Sequence, residues 1–279
     1  TGEISSYKTL TTPDDPSRAV MEGWEELLRD AGVDGSSVER AIHGTTLITN
    51  ALIERKGAVA ILITTRGFSD VLDTQKEMRY DIYDLQALPV EHLITRPLRF
   101  EIDERIDTFG DIIDPLDPAG LEEMKAILLD AGVDQQIEAV AVCLMQAYTN
   151  PEHEEKVNAW LTSNLPGVSV SLSSEVAPQI REYERMSTTV CNAYVQPLTE
   201  RYLKQIHENL RERGFGQGLY LMLSSGGVTT LETAARFPVR LVESGPAAGA
   251  LAAAFYGNLT GDEDLVSFDM GGTTAKMCV

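Results

Sequence analysis

The sequence predicts an α/β fold, on three observations. Short apolar runs of strand length alternate with longer stretches whose apolar residues recur at helical spacing. Two of the runs, Val59 to Thr64 (VAILIT) and Ala139 to Leu144 (AVAVCL), show no polar alternation, as strands buried on both faces of a parallel sheet do. The helical stretches end at glycine or proline, the residues that stop helices.

Taken in order, Ser17 to Ala31 reads as a helix. Pro16 stands before it, Val20, Trp24, Leu27 and Leu28 lie at helical spacing, and Gly32 is the expected left-handed C-cap. The short apolar start Ala41-Ile42 leads into His43-Gly44-Thr45-Thr46, which opens a second helix. Asp73 to Pro118 is rich in Asp, Arg and Pro with weak periodicity, and reads as irregular connection or short strands on the substrate side. Leu121 to Ala131 is a helix closed by Gly132. Leu28 to Asp34 (LRDAGVD) and Leu128 to Asp134 (LLDAGVD) look alike, and one capping solution used twice explains them. Glu152 to Leu165 is amphipathic and ends at Pro166, and Val168 to Leu172 (VSVSL) alternates like a half-buried strand.

Glu182 to Arg213 is the longest helical pattern, with Pro197 as a candidate break. Gly214 to Gly218 then leads into a strand, Leu219 to Leu223. Glycines before a strand are in the wrong order for a dinucleotide fingerprint, and there is no G-x-x-x-x-G-K-[ST]. His153-Glu154 lacks the second histidine of a zincin and reads as part of a helix N-terminal face. A boundary near residues 175–185 divides the chain into regions 1–180 and 181–279.

Composition narrows the function classes. The 279 residues hold 23 Lys+Arg against 43 Asp+Glu, a net charge of −20. That argues against nucleic-acid binding and against docking on anionic lipid, both of which need basic surface. No run approaches the roughly 18 apolar residues of a membrane span. Cys143, Cys191 and Cys278 are far apart, without a C-x-x-C pair, so neither a disulfide framework nor a zinc knuckle is indicated. A reducing cytoplasm is the expected location.

The chemistry-bearing stretch is residues 243–279. Leu265 to Phe268 is a strand that runs into Asp269-Met270-Gly271-Gly272-Thr273-Thr274, and Ala275 to Val279 is a candidate return strand. Two glycines turn the backbone tightly and can present bare N–H groups to phosphate oxygens, to which Thr273 and Thr274 add hydroxyls. Asp269 is placed to hold a magnesium ion or its water. Lys276 offers local positive charge in an acidic chain. The plain alternative is a hairpin with a Gly-Gly turn. Before it, Ser244 to Tyr256 (SGPAAGALAAAFY) is a small-residue helix with Ser244 as candidate N-cap. A small-residue helix followed by strand, Asp-x-Gly-Gly-Thr and hairpin resembles the interdomain helix and second phosphate loop of the actin, sugar-kinase and heat-shock-chaperone ATPases, a ribonuclease-H-like fold.

Further motifs carry a closer resemblance. They are His43-Gly44-Thr45-Thr46 with Thr49-Asn50-Ala51-Leu52 and Glu54-Arg55-Lys56-Gly57; Thr64-Thr65-Arg66-Gly67-Phe68; Asp81-Ile82-Tyr83-Asp84-Leu85; Asn150-Pro151-Glu152-His153-Glu154; Ser173-Ser174-Glu175-Val176 through Arg181-Glu182-Tyr183-Glu184-Arg185; Asn192-Ala193-Tyr194-Val195; Ser225-Gly226-Gly227; Glu243 to Gly249; and Phe268 to Thr274. Spread over nearly the whole chain, they resemble the hydantoinase A/oxoprolinase family, which includes the acetone and acetophenone carboxylase subunits. Against that family the chain reads as a fragment, lacking a first phosphate loop and most of a second ATPase lobe, and is expected to be inactive alone.

The resemblance implies ATP-driven opening of a cyclic amide of the hydantoin or 5-oxoproline type, with ATP and Mg2+ as cofactors. It also implies a B-type hydantoinase subunit as partner in a hetero-oligomer. A ketone carboxylase subunit is the alternative enzyme, and a non-catalytic interaction relative the alternative class. Asp269 would position magnesium, while Gly271, Gly272, Thr273 and Thr274, with Lys276, would cradle phosphate. Thr45 and Thr46 either cap their helix or contact substrate or phosphate. His43 is an acid–base candidate or a satisfied buried histidine. Arg181 and Arg185, four apart, either line a cleft or belong to a solvated, salt-bridged helix face. Arg79, Asp81 and Tyr83 are candidate substrate contacts, and Gly226 and Gly227 either shape the cleft or make a plain turn.

Overall fold

The computed structural model describes residues 4–12, 14–76, 83, 84, 86, 90–132, 136–270 and 275–278. Arg79, Asp81, Gly271, Gly272, Thr273 and Thr274 lie outside the described residues. In chain order the elements are α1 (Pro16–Ala31), β1 (Arg40–His43), α2 (Leu47–Ile53), β2 (Ala60–Thr65), α3 (Val71–Thr74), β3 (Arg99–Ile102), β4 (Arg105–Ile106), β5 (Ile112–Asp114), α4 (Ala119–Asp130), β6 (Ala139–Cys143), α5 (Glu152–Asn164), β7 (Ser169–Leu172), α6 (Ser173–Val176), α7 (Glu182–Glu212), β8 (Gly218–Met222), β9 (Val228–Thr230), α8 (Leu231–Arg236), α9 (Ser244–Thr260), β10 (Ser267–Met270) and β11 (Ala275–Cys278). They form two compact units, residues 51–197 and residues 1–50 with 198–279. These units are cut at different places from the sequence division at 180, because the first is inserted within the second. Among the described residues no helix is long and apolar enough to cross a membrane.

The 51–197 unit is built on a parallel sheet in the order β3-β2-β6-β7. Side chains alternate between its faces. Ile61, Ile63, Val140 and Val142 meet Leu121, Met124 and Leu128 of α4 and Val157 and Leu161 of α5. Ala60, Leu62, Ala139 and Ala141 meet Met186, Val190 and Ala193 of α7. Both faces are covered, which is why β2 and β6 read as unbroken apolar runs. β3, β4 and β5 are short strands in the stretch expected to be irregular connection or short strands, though β3 could not be placed there because two of its four residues are charged. Arg99 is nonetheless buried, its Nε donating to Ile94 O at 3.1 Å and its Nη1 to Asp73 Oδ2 at 2.8 Å.

Chain order places the strand reversal between β2 and β6: β2 leads outward to β3 on one side, β6 to β7 on the other. Such a reversal usually leaves a ligand crevice at the C-terminal strand ends. Here the chain's own side chains occupy it. Thr65 Oγ1 accepts from Met145 N–H at 2.9 Å and donates to Glu104, whose other oxygen meets His153 Nδ1 at 2.7 Å. Glu154 accepts from Leu144 N–H at 3.0 Å, from Ser173 Oγ at 2.6 Å and from Ser174 N–H at 2.9 Å. The pair His153-Glu154 therefore does sit in the first turn of a helix, facing inward.

In the other unit β1 pairs parallel with β8, and β8 antiparallel with β9. Asp15 caps α1 by accepting from Ser17 N–H at 3.0 Å, and Gly32 closes it in the left-handed region (φ 62°), as Gly132 does after α4 (φ 65°). The α1 ring of Trp24 meets Phe215 edge-on at 5.3 Å. α7 runs unbroken through Pro197, and β10 and β11 form an antiparallel hairpin.

One close approach in the 51–197 unit is absolute. A Cβ on Gly57 would lie 2.2 Å from Tyr194 Cε1 and 2.6 Å from its carbonyl oxygen. That carbonyl accepts from Ala58 N–H at 2.8 Å and docks the start of β2 on α7. Gly57→Ala is therefore expected to destabilise the protein by about 1–3 kcal/mol, the usual cost of overpacking. Urea denaturation measures it, and an unchanged midpoint would refute the close approach.

Candidate functional site

The residues singled out in the 1–50/198–279 unit are assembled by short local contacts. β1 delivers His43 to its end, and Thr45 Oγ1 accepts from Leu47 N–H at 3.1 Å, so Thr45 caps α2. Thr46 is exposed, with Asn50 Nδ2 at 3.4 Å from its hydroxyl. Two links join this turn to the start of α9: Ser244 Oγ donates to Thr45 O and Glu243 N–H to Thr49 Oγ1, both at 3.2 Å. Ser244 is thus not the N-cap that the sequence suggested. Glu243 holds the capping position in the left-handed region (φ 66°), and the fully buried Ser244 spends its hydroxyl on α2's entry turn.

Glu243 reaches the third motif as well, its carboxylate pairing with the Lys276 ammonium. Lys276 stands directly across the hairpin from Asp269, which is exposed on β10. The His43–Thr46 turn, the start of α9 and the β10–β11 hairpin are therefore joined through Glu243 and Ser244. A cleft of about 520 Å³ opens at the His43–Thr46 turn and the start of α9, lined by Thr11, His43, Thr45, Thr46, Tyr202 and Gly245 among others.

His43 Nε2 lies 2.9 Å from the Tyr202 hydroxyl, which Thr45 also reaches. Burial pushes His43 down to about 4 and raises the Tyr202 hydroxyl, so at neutral pH both are uncharged. A neutral imidazole with a phenol on Nε2 is a hydrogen-bond relay at the cleft wall. Sequence reading proposed His43 and placed Glu243 only within the Glu243 to Gly249 motif; it did not single out Tyr202, which lies in the long α7 run without a local signal.

The other candidates are placed differently. Gly226 adopts φ 83° in the turn between β8 and β9, and its N–H is taken by Leu223 O at 3.0 Å, while Leu223 N–H donates to Gly227 O at 2.8 Å. Arg181 and Arg185 do not share a helical face. Arg181 precedes α7 with left-handed backbone (φ 82°) and is exposed, whereas Arg185 is 1 % exposed. Arg185 Nη1 donates to Leu144 O and Ser173 Oγ, each at 2.7 Å, and its guanidinium stacks on Tyr148. Tyr83 is exposed and, with both arginines, belongs to the 51–197 unit.

Among the described residues no cluster of three or more His, Cys, Asp or Glu could hold a metal. Magnesium bound chiefly through phosphate oxygens and water needs only one or two carboxylates, which the exposed Asp269 suits.

A family model described as hydantoinase/oxoprolinase N-terminal region matches residues 1–165, and one described as hydantoinase/oxoprolinase matches residues 185–279. The chain belongs to the hydantoinase/oxoprolinase family. It is 33% identical to caprolactamase subunit alpha of Pseudomonas jessenii, over 98% of this chain and 40% of that protein. It is 30% identical to the acetophenone carboxylase gamma subunit of Aromatoleum aromaticum (98% and 39%) and 31% to 5-oxoprolinase 1 of Arabidopsis thaliana (93% and 22%). The crystal structure of the ATP-dependent caprolactamase from Pseudomonas jessenii superposes with a TM-score of 0.85 at 32% identity, covering 99% of this chain and 40% of that one. The chain thus spans about 40% of the length of the caprolactamase subunit it matches.

His43 sets a pH dependence. Its folded value lies below the unfolded 6.5, so the unfolded chain takes up the proton first as pH falls. The stability tied to neutral His43 is full above pH 6.5 and is lost between 6.5 and about 4. Urea midpoints at pH 7.5 and 5 are expected to differ less in His43→Gln than in the wild type. An equal difference in both would remove His43 from the titration.

Proposed function

We propose that this protein takes part in ATP-dependent opening of a cyclic amide, on a nucleotide-binding fold of the actin, sugar-kinase and heat-shock-chaperone type. The reading rests on family membership and on one observation: Glu243 and Ser244 link the Asp269–Lys276 hairpin to the His43–Thr46 turn and the start of α9, which line one cleft. ATP, when bound, supplies the phosphoryl group that turns a resonance-stabilised amide into an electrophile water can attack, with Mg2+ neutralising phosphate charge.

The chain's own residues have positioning and electrostatic work in this scheme. Asp269 holds the magnesium ion or its water, and Gly271, Gly272, Thr273 and Thr274 offer N–H and hydroxyl donors to phosphate. Lys276, already paired with Glu243, fixes the hairpin against α9. Thr46 faces the cleft for substrate or phosphate, while His43, neutral and hydrogen-bonded to Tyr202, accepts or relays a proton. A ketone carboxylase is the second reading, favoured by the acetophenone carboxylase gamma subunit, whose likeness covers the chain as fully as that of caprolactamase. A B-type partner subunit fits relatives named as alpha and gamma subunits, and a cytoplasmic location fits the free cysteines.

The test measures ATP consumption by the full-length protein, with its partner subunit, in the presence of 5-oxoproline, hydantoin, caprolactam, or a ketone with bicarbonate. Dependence on a cyclic amide is expected, with Asp269→Asn lowering turnover about 100-fold or more at unchanged stability. Dependence on a ketone alone would favour the carboxylase. Indifference to all of them, or full activity in Asp269→Asn, would overturn the proposal.

A further inference from the structure

A second cavity, of about 280 Å³, lies within the 51–197 unit and is not part of the cleft described above. Its wall is largely apolar, with Leu52, Leu72, Leu93 and Val190, and one cation, Arg55, enters it. Several cations of this acidic chain are neutralised: Arg66, Arg99, Arg213, Lys76 and Lys276 each contact a carboxylate. Arg55 has no carboxylate within ion-pair distance among the described residues. Its Nη2 donates to the main-chain carbonyl of Glu91 at 2.6 Å, which orients the exposed guanidinium.

Glu91 also lines the cavity, but its side chain is exposed and forms no ion pair with Arg55 among the described residues. Asp73 is engaged by Arg99 Nη1 at 2.8 Å and by His92 Nε2 at 3.1 Å. Cys191, in the same wall, is a thiol that burial holds protonated. The backbone adds an independent sign. Arg55 sits in the left-handed region (φ 57°) at the exit of α2, where Lys56 N–H closes on Ala51 O at 2.9 Å. Glycine serves that position without strain, so an arginine there is carried for its side chain. Gln75 and Val90, on either side of the segment where Arg79, Asp81 and Tyr83 were expected to meet substrate, line the cavity too.

We propose that this cavity binds a small organic carboxylate, its apolar body against Leu52, Leu72, Leu93 and Val190 and its carboxylate on the Arg55 guanidinium. The volume suits a body of five to seven heavy atoms or so, below the range of about 300–1,000 Å³ usual for larger ligands. A bidentate arginine–carboxylate pair at an apolar wall supplies both orientation and charge selection. The site needs no nucleotide and stands or falls apart from the phosphoryl chemistry proposed above.

The test uses cyclohexanecarboxylate and its neutral counterpart of the same shape, cyclohexanecarboxamide, on the full-length protein without ATP. Binding is read by calorimetry, and by protection of Cys191 from N-ethylmaleimide, located by peptide mass so that Cys143 and Cys278 serve as internal references. The carboxylate is expected to bind at least tenfold more tightly and to protect Cys191. Arg55→Gly, which relieves the left-handed backbone and so keeps the fold, is expected to abolish the preference. Equal binding of the two probes, no binding of the carboxylate, or an undiminished preference in folded Arg55→Gly would each overturn the assignment.

Discussion

A buried carboxylate, Glu154, is the contact on which the 51–197 unit depends. It projects from the first turn of α5 and accepts three donors, from the end of β6 and the start of α6. Arg185 closes the group from α7 by donating to Ser173 Oγ and Leu144 O. One side chain thus satisfies main-chain groups that would otherwise be stranded where two parallel strands end. The balance is finely set, since burial raises the Glu154 carboxyl while its hydrogen bonds hold it down. Buried ionic groups seldom add much net stability, yet losing one partner leaves donors unpaired at about 1–3 kcal/mol each. Its worth is therefore in specifying which elements meet. His153, its neighbour, does the same for the end of β2 through Glu104 and Thr65. The consequence is functional: a place where parallel sheets commonly hold ligands is closed by the protein's own polar groups.

The 1–50/198–279 unit solves a different problem with smaller means. Its clasp is made of single hydrogen bonds at 3.2 Å and one ion pair, around a cleft rather than inside a core. Such contacts are each worth on the order of 1 kcal/mol or less. Phe268, Met270 and Met277 are exposed on the hairpin, so its position is held by the clasp and by α9 rather than by apolar burial. Glu243 joins hairpin, helix and turn, so a change at one motif is felt at the others.

What the sequence disclosed follows from how local each cause is. β2 and β6 were legible because burial on both faces writes itself into every residue, and α1 and α4 because glycine C-caps are local signals. β3 was not, since its Arg99 and Glu101 are satisfied by partners as distant as Ser69 and Asp73. The same limit governed the site. His43, Thr45 and Asp269 stand in motifs that show in one dimension. Tyr202 joins the candidate site only when α7 comes alongside β1, and Glu243, part of a sequence motif, shows its links to the turn only in the fold. Arg185 is the converse case: helical spacing placed it on a face with Arg181, but the helix begins after Arg181, and the arginine turns inward to Glu154's network.

The net charge of −20 ties these observations together. Any anionic ligand approaches against the field of the whole chain, and several cations are already spent on a neighbouring carboxylate. Two ways of holding an anion remain. One uses main-chain N–H groups and a metal ion, which need no cationic side chain, as proposed for the glycine-rich sequence after Asp269. The other sets a guanidinium beside an apolar wall, where a bidentate pair with a carboxylate gains orientation from the shape of the wall. Arg55 is placed in that way, at a backbone conformation that costs an arginine more than it would a glycine. Acidity overall and selectivity for anions locally are thus compatible, because weak background attraction leaves recognition to the few groups that are built for it.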